Sequence, residues 1–120
     1  MANILIVDDS ASMRNMVTAT LQSAGHQVQS AGDGQAALNI AKTGKFEAVV
    51  TDLNMPIMDG IELVRNLRTL PNYKYTPILL LTTESAADKK TQGKQAGATG
   101  WLVKPFNPEK LLATVAKVLG

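Results

Sequence analysis

Short, mostly apolar runs alternate five times with segments of helical periodicity along this 120-residue chain. Four of the runs are almost continuously apolar, which is typical of strands that helices cover on both faces. The second run, Gln27 to Ala31, is more polar and is expected at an edge of the sheet. Strands that alternate with helices, with no linker between them, predict an α/β fold in which a five-stranded parallel sheet lies between two layers of helices.

Capping residues and glycines mark the ends of the five predicted helices. Asp59 and Glu62 stand three residues apart at the start of the third helix, as in a capping box. The other expected N-caps are Ser10 or Ser12, Asp33 and Asn107, and the expected terminators are Gly25, Gly44, Pro71 and Gly97.

The fourth helix, expected from about Ser85 to Ala96, differs from the others because its only apolar residues are three alanines, Ala86, Ala87 and Ala96. It carries Lys89, Lys90 and Lys94 instead. Packing of an apolar face normally supplies most of a helix's stability, so this helix is expected to be loosely held. Its lysines have two interpretations, a solvated surface or a basic face for an acidic partner.

Composition favours a single domain over residues 1–120, since a chain of this length with 45% hydrophobic residues builds one core. A formal charge of +2 gives no reason to expect nucleic-acid binding. The absence of cysteine excludes disulfides, thiolate metal sites and thiol catalysis, and His26 is expected to lie in a loop. No apolar run is long enough to span a membrane, so we expect a soluble, cytoplasmic monomer.

Polar residues follow four of the five predicted strands. They are Asp8 with Asp9, Asp52, Thr82 and Lys104. Right-handed crossovers place the carboxyl end of every parallel strand at one edge of the sheet, where ligands of such folds bind. We therefore expect three carboxylates, a hydroxyl and an ammonium group to meet there.

Considered by itself, Asp52 has two interpretations. It is either a loop residue that caps backbone N–H groups or a nucleophile that accepts a phosphoryl group. The other polar residues expected at the sheet edge favour the second interpretation, a nucleophile that accepts a phosphoryl group. Three close carboxylates repel one another and call for a cation, and oxygen ligands without His or Cys favour Mg²⁺. Phosphoryl transfer needs mainly charge neutralisation and alignment, which a metal, Lys104 and Thr82 can supply.

Two other kinds of site fit the sequence poorly. Nucleotide binding is disfavoured because the turn from Asp8 to Ser12 has two acids and no glycine, and no Walker-type pattern occurs. A Mg²⁺-dependent phosphohydrolase would need a second acid two residues after Asp52, where the chain has Asn54.

The chain resembles response regulator receiver domains over its whole length. The residues that carry the resemblance are the run from Ile4 to Asp9, the segment from Asp52 to Gly60, Leu81-Thr82-Thr83, and Lys104-Pro105-Phe106. Thirty residues separate Asp52 from Thr82, and twenty-two separate Thr82 from Lys104. The resemblance is strongest to stand-alone regulators of chemotaxis, and it implies the flavodoxin-like strand order 2-1-3-4-5.

The resemblance also implies a role for each residue of the site. Asp52 would accept phosphate from a CheA-type histidine kinase, and Thr82 and Lys104 would bind the phosphoryl oxygens. The Mg²⁺ ligands would be Asp9, Asp52 and the backbone carbonyl of Asn54, with Asp8 acting through water. The Lys104–Pro105 peptide bond would be cis. Asn54 and Glu84 would modulate self-dephosphorylation, the only reaction besides its own phosphorylation that such a protein catalyses.

Signal output in this family uses the face formed by the fourth helix, the fifth strand and the last helix. Trp101 occupies the position of the aromatic that follows Thr82 inward, where Tyr or Phe is more usual; ordinary packing at the edge strand is the alternative. The expected partner is a flagellar motor switch protein or another chemosensory target. A phosphate sink that drains the kinase and never contacts the motor is the alternative function.

Overall fold

The computed structural model describes residues 2–83 and 87–120. Within these residues the chain forms one parallel sheet with the order β2-β1-β3-β4-β5, which confirms the predicted fold and places β2 at an edge. The strands are β1 Asn3–Val7, β2 Gln27–Ala31, β3 Ala48–Asp52, β4 Ile78–Thr82 and β5 Gly100–Val103. The α-helices are α1 Ala11–Ser23, α2 Gly34–Thr43, α3 Gly60–Arg68, α4 Ala87–Ala96 and α5 Pro108–Leu119.

Strand residues alternate between two apolar clusters, one on each face of the sheet. Leu5 and Val7 belong to the cluster beneath α2 and α3, whereas Ile4 and Ile6 belong to the cluster beneath α1 and α5. All four side chains have no exposed surface. Burying a side chain of this size contributes about 1.5–3 kcal/mol relative to leaving it exposed, so these two clusters fix which way each strand faces.

Most predicted helix ends are confirmed. Ser10, rather than Ser12, caps α1 by accepting a hydrogen bond from the Met13 N–H, and Asp33 and Asn107 cap α2 and α5. The capping box of α3 is complete, because the Asp59 carboxylate accepts from the Glu62 N–H and the Glu62 carboxylate accepts from the Asp59 N–H. These bonds satisfy N–H groups that the first turn of a helix leaves without a partner.

The end of α3 is more elaborate than the sequence predicted. The helix stops at Arg68, and Leu70 is extended because the ring of a following proline disfavours helical backbone at the residue before it. Pro71–Tyr73 then forms a short 3₁₀ turn that was not predicted. The buried Tyr73 hydroxyl donates to the carbonyl oxygens of Ala41 and Gly44, which ties this turn to the end of α2.

The described side chains of α4 agree with the expectation of little burial. From Lys89 to Ala96, only Gly93 and Ala96 are buried, while Lys90 and Lys94 are exposed. Among the residues that the structure describes, no helix is both long and apolar enough to cross a membrane.

Gly60 is required by a close approach at the end of β3. A Cβ atom there would overlap the Asp52 carbonyl oxygen and lie 3.0 Å from both the Leu53 Cα and a Leu80 methyl group. Since the Gly60 N–H also donates to the Leu53 oxygen at 2.8 Å, the start of α3 is fixed directly against the residue after Asp52.

Gly60→Ala is expected to lower the free energy of unfolding by about 1–3 kcal/mol, because backbone atoms cannot yield to the added methyl group. Urea denaturation of the two proteins measures the difference. Gly32→Ala is the matched control, since its Cβ would lie 3.3 Å from the side-chain atom Arg14 Nη1, which a shift of a few tenths of an ångström relieves, and it should change stability far less. Equal losses in the two variants would contradict the close approach.

Candidate functional site

The structure brings the predicted polar residues to one edge of the sheet. Asp52 and Thr82 are the last residues of β3 and β4, and Asp8 and Lys104 directly follow β1 and β5. Strand pairing sets Asp52 beside Leu81 and Thr82 beside Val103, so neighbouring strands end at nearly the same level. Asp8, Asp52 and Thr82 are at most 7% exposed, although polar residues rarely reach such burial without a partner or a function.

Lys104 is the partner of the two buried acids. Its ammonium nitrogen Nζ lies 3.2 Å from Asp8 Oδ2 and 3.2 Å from Asp52 Oδ1. The Lys104 backbone N–H donates to the Thr82 carbonyl oxygen at 2.7 Å, which fixes the exit of β5 against that of β4. The Lys104–Pro105 peptide bond is cis, as the resemblance implied.

Backbone and side-chain donors hold the two acids in place. Asp8 Oδ1 accepts from the Ser10 N–H at 2.9 Å, and Arg14 Nη1 donates to the Asp8 carbonyl oxygen at 2.7 Å. Asp52 Oδ1 accepts from the N–H of Leu53 at 3.0 Å. Each acid is therefore held in place, and sequence reasoning missed Arg14 and Leu53 because each contact involves a main-chain atom, the Asp8 carbonyl oxygen or the Leu53 N–H, that carries no sequence signal.

Asp8, Asp9 and Asp52 each offer one carboxylate oxygen within 4.8 Å of the others. Ligand oxygens on an octahedral Mg²⁺ lie up to about 4.2 Å apart, given metal–oxygen distances of about 2.1 Å. Small side-chain rotations would bring the three oxygens to that spacing. Asp9 is exposed, so the cluster is open to solvent on one side, and its all-oxygen donor set suits a hard cation that keeps several waters.

The charges of the site shift two pKa values. Burial, followed by repulsion from Asp8, raises the pKa of Asp52, and Lys104 and the Leu53 N–H only partly offset this effect. Burial alone would lower the pKa of Lys104, but attraction to Asp52 and Asp8 outweighs it and raises that pKa. The site therefore favours the charged form of Lys104 and disfavours the charged form of Asp52.

Two further predicted residues, Asn54 and Trp101, lie in the loop after β3 and within β5, where Trp101 pairs with Leu80 of β4. Asn54 is exposed two residues after Asp52. The indole ring of Trp101 packs over α4, because a Cβ on Gly93 would lie 3.1 Å from its Cζ3 atom. The indole nitrogen of Trp101 is buried and has no hydrogen-bond partner among the described residues. Glu84, a predicted modulator of the site, lies outside the described residues.

A family model described as the response regulator receiver domain matches residues 4–116. Chemotaxis protein CheY-3 of Vibrio cholerae is 41% identical over 116 residues, which cover 96% of this chain and 89% of that protein. The solved structure of chemotaxis response regulator CheY4 of Vibrio cholerae is 54% identical, with a TM-score of 0.95 and 98% of each chain covered.

A third similar structure is the receiver domain of the sensor histidine kinase PA1611 from Pseudomonas aeruginosa, which is described as having a magnesium ion coordinated in its active site cleft. It is 28% identical, with a TM-score of 0.92, and 99% of this chain and 98% of that chain are covered.

The raised pKa of Asp52 predicts that Asp52→Asn stabilises the metal-free protein at neutral pH, because the substitution removes a poorly accommodated buried charge. The folded-state pKa of Asp52 lies above its unfolded value near 3.8, so the penalty is fully present above the folded-state pKa and shrinks as the pH falls from there toward 3.8. Thermal unfolding in a chelator, from pH 7 to pH 4, should show the stability difference between the variant and the wild type shrinking toward acid. A difference that grows toward acid would contradict the assignment.

Proposed function

The chain belongs to the response regulator receiver domain family, and on this premise we propose that it is a stand-alone chemotaxis regulator, one receiver domain over residues 1–120, which accepts a phosphoryl group on Asp52. The observation that carries the proposal is the position of Lys104 Nζ, 3.2 Å from each of the two buried acids at the ligand-binding edge of the sheet. A cation held against a buried carboxylate, next to a cluster of further carboxylates, is the arrangement that phosphoryl transfer requires.

The proposed donor is a phosphohistidine on a CheA-type histidine kinase. A carboxylate oxygen of Asp52 attacks the phosphorus in line, a P–O bond forms and the P–N bond breaks, and its electron pair remains on the imidazole nitrogen. The attacking carboxylate needs no base, because its ionised form carries no proton that has to be removed. Its unfavourable environment as an anion helps the reaction, since the acyl phosphate moves the charge away from the buried oxygen.

Lys104 and Thr82 are proposed to hold the phosphoryl oxygens. Lys104 already faces Asp52 Oδ1, so a small movement of its ammonium group from Asp8 toward the phosphate would suffice. Thr82 ends the neighbouring strand and its hydroxyl can donate to a second oxygen. Mg²⁺, when bound by Asp9, Asp52 and the Asn54 carbonyl with Asp8 acting through water, neutralises the charge that builds on the phosphoryl group.

The phosphorylated state is proposed to be short-lived, because Asp52 carries an acyl phosphate at an edge that water can reach. Asn54, which is exposed, and Glu84 would modulate the rate of hydrolysis. The protein would then catalyse only its own phosphorylation and dephosphorylation. It would do so in the cytoplasm, where ATP-dependent kinases are phosphorylated.

The proposed output face consists of α4, β5 and α5. A groove of about 630 Å³ on this face is lined by residues that include Lys90, Trp101, Phe106 and Lys110. A groove lined by apolar and basic side chains fits an acidic segment with apolar residues, from a flagellar motor switch protein or another chemosensory target. Phosphorylation would shift the preferred side-chain positions of Thr82 and Trp101. Because the Trp101 ring packs at Gly93, a movement of this ring would also shift the position of α4.

A small phosphodonor such as acetyl phosphate, with Mg²⁺, is expected to label the wild-type protein and to quench or shift the fluorescence of its single tryptophan, Trp101. Asp52→Asn should abolish both the label and the fluorescence change. The matched control is Asp33→Asn, because Asn also caps helices and Asp33 lies outside the site, and it should respond as the wild type does.

Two results would contradict this proposal. One is a wild-type protein that takes up no phosphate, and the other is labelling that persists in Asp52→Asn. Addition of a chelator gives an internal check, since removal of Mg²⁺ should slow labelling by at least about tenfold if the cation supplies even 1.4 kcal/mol of charge stabilisation.

Capture of partners by the protein with beryllofluoride as a phosphoryl mimic should separate a motor or target regulator from a phosphate sink. A regulator should retain an acidic partner through its output face, and Lys90→Glu with Lys94→Glu should weaken that capture. A sink should retain the kinase alone. Capture of the same partner without the mimic would contradict phosphorylation-gated binding.

A further inference from the structure

Ile57 has an unusual backbone conformation in the loop between β3 and α3. Its φ angle is +73°, a region that β-branched residues rarely adopt because Cβ approaches the carbonyl oxygen. The Met58 N–H donates to the Pro56 carbonyl oxygen at 2.8 Å, which closes a three-residue turn with Ile57 at its centre. Turns of this kind with positive φ are rare and strained.

The surrounding loop explains the turn but not the isoleucine. Met58 packs against the core beneath α2 and α3, and Asn66 Nδ2 lies 3.5 Å from its sulfur, so the chain must turn inward after residue 57. Glycine or asparagine would make the same turn with less strain. Ile57 gains nothing from burial in return, because it is 80% exposed.

Strain at an exposed apolar residue indicates that its side chain has a functional contact with another molecule. Single exposed apolar residues are common, but they seldom occupy a conformation that disfavours them. Ile57 follows Asp52 by five residues, and the hydrogen bond from the Gly60 N–H to the Leu53 oxygen closes the loop at its base. The side chain therefore projects from the same edge of the sheet as the acidic site.

A protein that donates a phosphoryl group has to cover this edge. Its phosphohistidine must come within bonding distance of Asp52, and a standard interface buries about 800 Å² on each partner, a patch of about 16 Å in radius. Five residues span at most about 18 Å when fully extended, and this loop is closed rather than extended. Ile57 thus lies within the area that a protein donor covers, whereas a small donor needs no such area.

We propose that Ile57 is an apolar docking residue for the protein phosphodonor, an inference that rests on the proposed phosphorylation of Asp52. The donor would present an apolar patch beside its phosphohistidine, into which the exposed side chain inserts. The uncharged stretch from Asn54 to Met58 would let the two surfaces approach without burying an unpaired charge on this side.

The test compares two donors on the same variants. One donor is acetyl phosphate, and the other is the phosphotransfer domain of a chemotaxis histidine kinase, phosphorylated on histidine and selected because it labels the wild-type chain. The variants are Ile57→Asn and Ile57→Gly, both of which tolerate the positive φ. Tyr75→Asn is the matched control, since Tyr75 is 86% exposed and precedes β4. It therefore lies at the amino ends of the strands, opposite the acidic site.

Both Ile57 variants should lose at least about tenfold in kcat/KM with the kinase domain, since burial of an isoleucine is involved, and remain within about twofold of the wild type with acetyl phosphate. The melting temperature of Ile57→Asn should rise by at least about 3 °C because strain is relieved, and that of Ile57→Gly should not fall, because the relief of strain offsets the added entropy of the unfolded chain. These results would exclude misfolding as the cause. Tyr75→Asn should match the wild type with both donors.

Equal labelling of wild type and Ile57 variants by the kinase domain would overturn the inference. So would an equal loss with both donors, which would mean that Ile57 shapes the acidic site itself, or a defect confined to capture of a target by the phosphoryl-mimic form. Failure of acetyl phosphate and of every kinase domain to label the wild type would instead overturn the proposed function, and the inference with it.

Discussion

The contact between the ammonium group of Lys104 and two buried carboxylates is the interaction that the proposed function requires first. The ion pair joins residues 96 and 52 positions apart in the chain and links the exits of β1, β3 and β5. Removing such charges from water costs several kcal/mol per ion, and the attraction between the ions offsets this cost only when their geometry is good. The pKa of Asp52 rises in spite of its partner, so the site is not an optimum of stability. Such a balance is what a site reserved for a further cation and a phosphoryl group would show.

Much of the fold and the site followed from the sequence for a physical reason. Continuous apolar runs indicate buried parallel strands, and parallel strands collect their carboxyl ends at one edge, so the sequence alone places Asp8, Asp52, Thr82 and Lys104 together. The order of the strands came from the family resemblance and not from the pattern, because apolar periodicity does not specify neighbours within a sheet.

Features that depend on main-chain geometry were not predictable. Arg14 binds a carbonyl oxygen, and the 3₁₀ turn at Pro71 depends on packing of Tyr73 against the end of α2. Isoleucine strongly favours a negative φ, so the positive φ of Ile57 could not be predicted from its residue type. Gly93 of α4 makes room for the ring of Trp101, a packing role that the sequence pattern did not indicate.

The proposed function requires that one edge of the sheet hold a divalent cation and a phosphoryl group around Asp52. A crystal structure of the protein with Mg²⁺ and beryllofluoride would show whether it does. We expect beryllium bonded to an Asp52 oxygen, the metal on Asp9, Asp52 and the Asn54 carbonyl, and Lys104 Nζ and the Thr82 hydroxyl on the fluorides. Beryllofluoride bound elsewhere, or a Lys104 that still bridges Asp8 and Asp52 with no ligand at the site, would contradict it.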